Sequence, residues 1–226
     1  MRGCFVTGTD TGVGKTVLAG AIVAALRSRG IAVRALKPVI TGLDEPPGPD
    51  WPPDHQLLAR AAGSAPEQVG LLAYGPAVSP HLAAQLTARP IDVPALVSAV
   101  KTARDDADVL VVEGVGGLLV PITRDYSVRD LARDTDLPLL IASRCGLGTI
   151  NHTLLTLEAA RAARLAVAGV VLTPWPPSPG VIERSNLKTI ELLGNVPVAT
   201  LSCVSRGDPG LLAEAGRTLP LDLWLA

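Results

Sequence analysis

Lys15 and Thr16 close a glycine-bearing run whose spacing suits the binding of a nucleoside triphosphate together with magnesium. The run is Gly8-Thr-Asp-Thr-Gly12-Val13-Gly14-Lys15-Thr16. An apolar strand pattern at residues 4–7 precedes it, and an apolar, alanine-rich helical pattern at residues 15–27 follows. Glycines let successive backbone N–H groups turn into one concavity, and the N-terminus of the following helix adds partial positive charge. From Gly12 to Val17 the chain would form this cradle. The Lys15 ammonium would reach the β- and γ-phosphates, and the Thr16 hydroxyl would ligate magnesium. The loop is a variant: the common pattern has glycine five positions before Gly14, where this chain has Thr9, with Gly8 one step earlier.

Magnesium takes hard oxygen ligands and keeps several waters, so one or two carboxylates are enough. Glu113 ends the hydrophobic strand pattern of residues 109–112 and leads into Gly114-Val115-Gly116-Gly117, an acid beside backbone free of bulk. Asp54 follows the Pro-, Gly- and Asp-rich loop of residues 42–53. Its position alone allows either a second acid or a helix cap. Lys37, in Lys37-Pro38-Val39-Ile40-Thr41-Gly42, would bring a second ammonium to the charge that builds on a transferring phosphoryl group. Thr41 offers a hydroxyl to a substrate. Gly146-Leu-Gly148-Thr149-Ile150-Asn151-His152 opens a helix after a strand; its free N–H groups favour an anion, or serve packing and capping alone.

The elements that must hold these groups alternate. Strand patterns fall at residues 4–7, 31–36, 109–112, 139–142, 167–172 and 196–201. Between them, helical patterns fall at residues 15–27, 54–62, 93–104, 149–163 and 182–193. Ser127-Val-Arg-Asp130 reads as a capping box opening a short helix, and residues 66–90 show no clear period. This alternation predicts an α/β fold: a doubly wound, mainly parallel sheet flanked by helices, P-loop NTPase-like, in one domain over residues 1–226. In such sheets ligands gather where the strands' carboxyl ends meet the following loops. The candidate motifs sit at such ends.

Of the 226 residues 48% are hydrophobic but only 3% aromatic, so Ala, Val and Leu do the packing, as in strands buried on both faces. A net charge of −1 and a pI near 6.3 give no basic field for nucleic acid or an anionic membrane, which favours a small-molecule partner. The uncharged stretch 69–88 contains Gly75, Pro76 and Pro80, and the stretch 165–182 contains four prolines, so neither makes a spanning helix. The N-terminus enters a strand at once, without room for a secretory signal. Cys4, Cys145 and Cys203 lack metal-ligand spacing and read as reduced thiols, so a cytoplasmic protein is expected.

The segments GTDTGVGKT, KPVITG, SPHLAA, EGVGGLLVP and GLGTINHTLLTLEA, in this order, closely resemble the dethiobiotin synthetases over roughly residues 3–172. That resemblance implies closure of a cyclic urea on 7,8-diaminononanoate with carbon dioxide and a nucleoside triphosphate, in biotin synthesis. One amine is carbamated, the carbamate oxygen takes the γ-phosphoryl group, and the other amine attacks the mixed anhydride. It further implies that Thr11, Lys15 and Lys37 surround the carbamate and γ-phosphate, with Lys37 an electrostatic stabiliser. Thr41 would contact a substrate nitrogen, and Thr16, Asp54 and Glu113 would ligate magnesium. Gly114, Val115, Gly116, Thr173 and Pro174 would line the nucleotide. Gly148, Thr149, Ile150 and Asn151 would receive the substrate carboxylate from the neighbouring subunit of a homodimer. His81 lies near the site by resemblance without a derivable role, and His152 reads as a structural or interface residue.

The chain departs from the family near the base. Many members carry Asn after the strand that here ends Val170-Val-Leu172, where this chain has Thr173-Pro174-Trp175. A proline and an acid common near the base are missing from Leu201-Ser-Cys-Val204. Position 173 therefore offers no bidentate amide to adenine. Weaker adenine selectivity is expected, with ATP or CTP accepted. Two rivals fit less well. A partitioning-type ATPase would place a signature lysine where this chain has Asp10, and a glutamine-dependent amide ligase normally carries a further glutaminase domain.

Overall fold

The computed structural model describes residues 2–225. Its strands are β1 (Arg2–Gly8), β2 (Val33–Ile40), β3 (Gly70–Ala73), β4 (Val109–Glu113), β5 (Pro121–Thr123), β6 (Tyr126–Ser127), β7 (Leu139–Ser143), β8 (Val167–Trp175) and β9 (Val198–Ser202). The helices are α1 (Lys15–Ser28), α2 (Asp54–Ala62), α3 (Pro80–Leu86), α4 (Val93–Thr102), α5 (Val128–Thr135), α6 (Thr149–Ala162), α7 (Val181–Gly194), α8 (Pro209–Gly216) and α9 (Leu221–Trp224).

Seven strands form one sheet in the order β3-β2-β4-β1-β7-β8-β9, and every neighbouring pair runs parallel. Strands β5 and β6 form a separate antiparallel hairpin. The sheet confirms the expected doubly wound α/β architecture. From β1 the chain builds outward on the β4 side and then returns to build through β7, so the strand order reverses at β1. In open parallel sheets a crevice opens at such a reversal, outside the carboxyl ends. The phosphate loop leaves β1 at that point.

Alternation along the strands sorts side chains onto two packed faces. Cys4 and Val6 of β1, with Val109 and Val111 of β4, pack under α1, α2, α8 and α9. Phe5, Leu110 and Val112 face the opposite way, toward α4 and α5. Ile141, Val170 and Leu172 pack beneath α6 and α7. Burial on both sides is what a low-aromatic, Val- and Leu-rich sequence achieves with parallel strands. Among the described residues no helix is long and apolar enough to cross a membrane.

The structure corrects several boundaries. The second strand does not end at Lys37 but continues through Pro38 to Ile40. Its N-terminal half pairs with β4 as far as Leu36↔Val112, and from Lys37 onward it pairs with β3. The Lys37 N–H donates to Val69 O at 2.9 Å on the β3 side. By alternation, the N–H that Pro38 lacks would point to the side where β4 has already ended, so no ladder bond is lost. Likewise β8 runs on to Trp175, past the expected end at 172. The helix expected over residues 93–104 ends at Thr102 and tightens into a 3-10 turn. Within residues 66–90, which show no sequence period, lie the short edge strand β3 and helix α3. The Ser127 box forms as expected: Ser127 N–H donates to Asp130 Oδ2 at 2.9 Å and Asp130 N–H to Ser127 Oγ at 3.4 Å.

The C-terminal tail from Arg217, to which sequence alone assigns no function, carries α9, and together with the preceding α8 it covers α1; Ala226 lies outside the described residues. Gly216 makes this docking close, since a Cβ placed there would sit 2.1 Å from the Ala21 carbonyl oxygen. Gly216→Ala is therefore expected to lower stability by roughly 1–3 kcal/mol through overpacking. The check is the urea midpoint: it should fall at unchanged m-value, and an unchanged midpoint would mean that the two helices separate freely.

Candidate active site

Helix α1 begins at Lys15 directly after Gly14, whose backbone is left-handed at φ 91°. This is the conformation a glycine permits and other residues resist, and it aims the first N–H groups of α1 across the end of the sheet. The loop is fixed from several sides. Lys15 Nζ donates to Asp10 O at 2.8 Å, and the Asp10 carboxylate accepts from Thr11 N–H at 2.7 Å. Arg144 Nη2 donates to Thr11 O at 3.3 Å. Buried hydroxyls join the start of α6: Ser143 Oγ lies 2.7 Å from Thr149 Oγ1 and 2.8 Å from Thr153 Oγ1. Thr9 Oγ1 approaches the same Ser143 at 3.4 Å.

Lys15, Lys37 and Glu113 are 7%, 4% and 1% exposed, rare burial for charged side chains. Lys37 and Glu113 persist because they pair with each other, and Lys15 because its ammonium donates to Asp10 O. Glu113 Oε1 accepts from Lys37 Nζ at 2.7 Å and from Thr16 Oγ1 at 2.8 Å, while Lys37 Nζ also bonds the carboxylate of Asp54. Burial pushes the Lys37 ammonium down, but Glu113 and Asp54 outweigh it and hold its pKa above the ordinary lysine value. Burial pushes the Glu113 carboxyl up, and Lys37 offsets only part of that. For Asp54 burial also acts upward, yet the Lys37 charge prevails and the pKa lies below normal. Lys15 is lowered by burial first, with Glu113 opposing. The two ammonium groups thus share one charge cluster with two carboxylates.

Glu113 Oε2 is buried without a hydrogen-bond partner. A buried carboxylate oxygen left in that state costs roughly 1–3 kcal/mol or more, which a cation would remove. The nearby donors are all hard oxygens, namely Thr16 Oγ1 and the carboxylates of Asp54 and Glu113. Among the described residues no cluster of three or more His, Cys, Asp or Glu offers a full metal cage. A hydroxyl with two carboxylates, leaving room for waters and phosphate oxygens, fits magnesium rather than zinc or calcium.

These residues open onto a cavity of about 400 Å³. Its walls include Thr11, Gly12, Gly14, Lys15, Thr16, Val17, Lys37, Thr41, Asp54, Glu113, Val115 and Gly116, so most of the predicted set converges. Other members do not reach it. Val13 is buried in the apolar core, which leaves only its backbone for a ligand. Gly114 abuts Phe5 and Val128, and Thr173 is buried against Gly14. Pro174 is exposed and its carbonyl accepts from Cys145 Sγ at 3.2 Å. Gly148, Thr149, Ile150 and Asn151 cap α6 outside this cavity, and the Thr149 hydroxyl is engaged by Arg144 O at 2.5 Å. Sequence reasoning missed Trp51, Pro52 and Leu57, which complete the wall. Only Leu57, one turn into an amphipathic helix after Asp54, carried a sequence signal.

A second cavity of about 420 Å³ meets the first at Thr11. Leu118, Leu119, Val120, Leu155 and Ala159 make it largely apolar, and His152 lines it beside Thr156. His81 lies elsewhere, with Nδ1 3.0 Å from Ser79 Oγ, on a third cavity near Gln85 and Arg124.

Residues 2–204 match the AAA domain family. The chain is 38% identical over 203 residues to the ATP-dependent dethiobiotin synthetase BioD of Rhodococcus jostii, covering 86% of each. It is 42% identical over 179 residues to the ATP-dependent dethiobiotin synthetase BioD of Anaeromyxobacter dehalogenans, covering 78% of each. Solved structures with the same fold include chloroplast FtsY from Physcomitrella patens, at TM-score 0.56 and 16% identity over 95% of this chain and 65% of that one. A ParA family ATPase from Chlorobium tepidum matches at TM-score 0.54 and 13% identity over 96% and 91%. At those identities the likeness is one of fold alone, so it does not revive the partitioning-type reading.

Proposed function

The chain belongs to the ATP-dependent dethiobiotin synthetase family, and from that premise we propose that it closes the urea ring of dethiobiotin on 7,8-diaminononanoate, using carbon dioxide and a nucleoside triphosphate. It is an ATP-dependent ligase of biotin biosynthesis. The observation that carries the substrate-level reading is the convergence of two buried ammonium groups and two carboxylates on one cavity beside the phosphate loop.

The backbone N–H groups from Gly12 to Val17 bind the phosphates at the start of α1. Lys15 and Lys37 balance negative charge as the γ-phosphoryl group moves to the carbamate oxygen. Thr16, Asp54 and Glu113 would hold magnesium, which supplies charge neutralisation across the phosphates when bound. Thr11 stands where the two cavities meet and would orient the carbamate, and Thr41 would hold a substrate nitrogen. The apolar second cavity suits an aliphatic chain. The substrate carboxylate would then meet the N-terminus of α6 in a partner subunit, with Gly148, Ile150 and Asn151 contributing backbone N–H groups and Thr149, whose N–H donates to Gly146 O at 3.3 Å, fixing the turn between them. A homodimer in the cytoplasm is part of this reading.

Base selectivity is weak in this proposal, because the side chain at 173 is spent on packing. A Cβ on Gly14 would lie 2.9 Å from Thr173 Cγ2, and a threonine offers no paired donor and acceptor to adenine. The test incubates the protein with diaminononanoate, bicarbonate, magnesium and either ATP or CTP, and looks for the cyclised urea by mass spectrometry. The urea should form with both, at kcat/KM values within about tenfold. Absence of urea would remove the activity; a large ATP preference would remove only the selectivity.

A further inference from the structure

The phosphate cavity has two kinds of wall. One is charged, built from Lys15, Lys37, Asp54 and Glu113; the other is apolar, built from Trp51, Pro52, Val17 and Leu57. Phosphates and magnesium belong on the first. The second has nothing to offer a phosphate, but it suits a nucleoside.

Trp51 is half-buried and packs along one side against the core that holds Leu57. It belongs to no helix or strand, in a chain with only 3% aromatic residues. Its loop is nevertheless tied down. Trp51 N–H donates to Gly48 O at 3.3 Å, and Gly207 N–H donates to Asp50 O at 3.0 Å. Pro52 presses on the same glycine so closely that a Cβ at 207 would lie 2.9 Å from Pro52 Cδ. The loop after β2 and the loop after β9 are thereby joined at the carboxyl edge of the sheet, where a nucleotide in this fold class lies.

We propose that Trp51 is the stacking platform for the base of the nucleoside triphosphate, which is held by its face rather than read along its edge. This rests on the triphosphate reading given above and deepens it. Stacking on an aromatic ring is tolerant of base identity, because every base has a π face. A chain whose residue 173 packs on the phosphate loop gains affinity this way without gaining adenine selectivity.

The experiment measures binding of magnesium complexes of ATP, CTP and inorganic tripolyphosphate by calorimetry, for the intact protein and for Trp51→Phe, Trp51→Leu and Trp51→Ala. Tripolyphosphate has the phosphates and no base. Trp51→Ala and Trp51→Leu should weaken ATP and CTP alike by about 5- to 30-fold, leave tripolyphosphate within about twofold, and Trp51→Phe should retain most of the nucleotide affinity. An equal loss for tripolyphosphate would assign Trp51 to shaping the phosphate cradle and overturn the proposal. So would Leu matching Phe, or nucleotide affinities untouched by all three changes. Failure of the intact protein to form the urea would count against the ligase chemistry and leave these binding results standing.

Discussion

Lys37→Ala should lower kcat by about a thousandfold or more while the Kd for the magnesium–triphosphate complex changes by less than about fivefold. In the proposed reading the phosphate loop and Lys15 would make most of the contacts that hold the ground state, and the loop's own hydrogen bonds do not involve Lys37. Lys37 stands across the cavity, fixed between Glu113 and Asp54 and kept charged by them. A cation held in place in a dry site stabilises charge that develops during transfer, without being reorganised at that moment. The variant also leaves Glu113 buried without its ammonium partner, which costs stability, roughly 3–5 kcal/mol where no other cation compensates. Rates should accordingly be taken where the variant is demonstrably folded, and Lys37→Met offers a bulkier neutral replacement. Equal losses in binding and turnover would assign Lys37 to holding the ground state.

Glu113→Gln is expected to raise the magnesium concentration for half-maximal rate at least about a hundredfold and to lower the rate at saturating metal. Glu113 Oε1 is shared by Thr16 and Lys37, and Oε2 is the buried oxygen without a partner. An amide keeps the shape but supplies one oxygen and no charge, so Lys37 loses one of its two carboxylate partners and the metal would lose one of its two anionic ligands, Asp54 remaining to each. Titrating activity against magnesium, alongside nucleotide binding in excess chelator, separates the effects. Metal-free nucleotide affinity should hold or improve slightly, because a negative charge near the phosphates has gone. A variant with an unchanged magnesium requirement would take Glu113 out of the metal shell.

The parts of this site that were legible in the sequence are those encoded locally. Gly12, Gly14, Lys15 and Thr16 announce an anion cradle because the loop's backbone chemistry is carried by the glycines themselves. Glu113 was legible as an acid after an unbroken apolar strand. The continuation of β2 through Pro38 was not, because a proline is tolerated there only once β4 has ended, a fact about the neighbouring strand. The edge strand β3, Gly70–Ala73, is too short to show a period. Trp51 was hidden for another reason: its loop reads as polar punctuation, and its place is set by distant contacts, its own packing on the core and the contacts of its neighbours Asp50 and Pro52 with Gly207. The Lys37–Asp54 and Lys37–Glu113 pairs were likewise invisible, although each residue had been singled out; sequence spacing carries no information on which acid meets which base. Thr149 shows the converse. Its place at a helix start was legible, but its hydroxyl is engaged by Arg144 O and Ser143 and its backbone N–H donates to Gly146 O at 3.3 Å, so neither group is free for an anion as the loop stands.

Following the oxygen of the carbon source reports most directly whether the two ammonium groups serve transfer to a carbamate. Incubated briefly with diaminononanoate, magnesium–ATP and bicarbonate enriched in oxygen-18, the protein should release phosphate carrying about one labelled oxygen for each urea ring formed, after correction for exchange with water. That oxygen reaches phosphorus only if the carbamate attacks the γ-phosphoryl group. Phosphate released without label while the urea accumulates would mean that water, not the carbamate, takes the phosphoryl group, and the cluster around Lys37 would have another purpose.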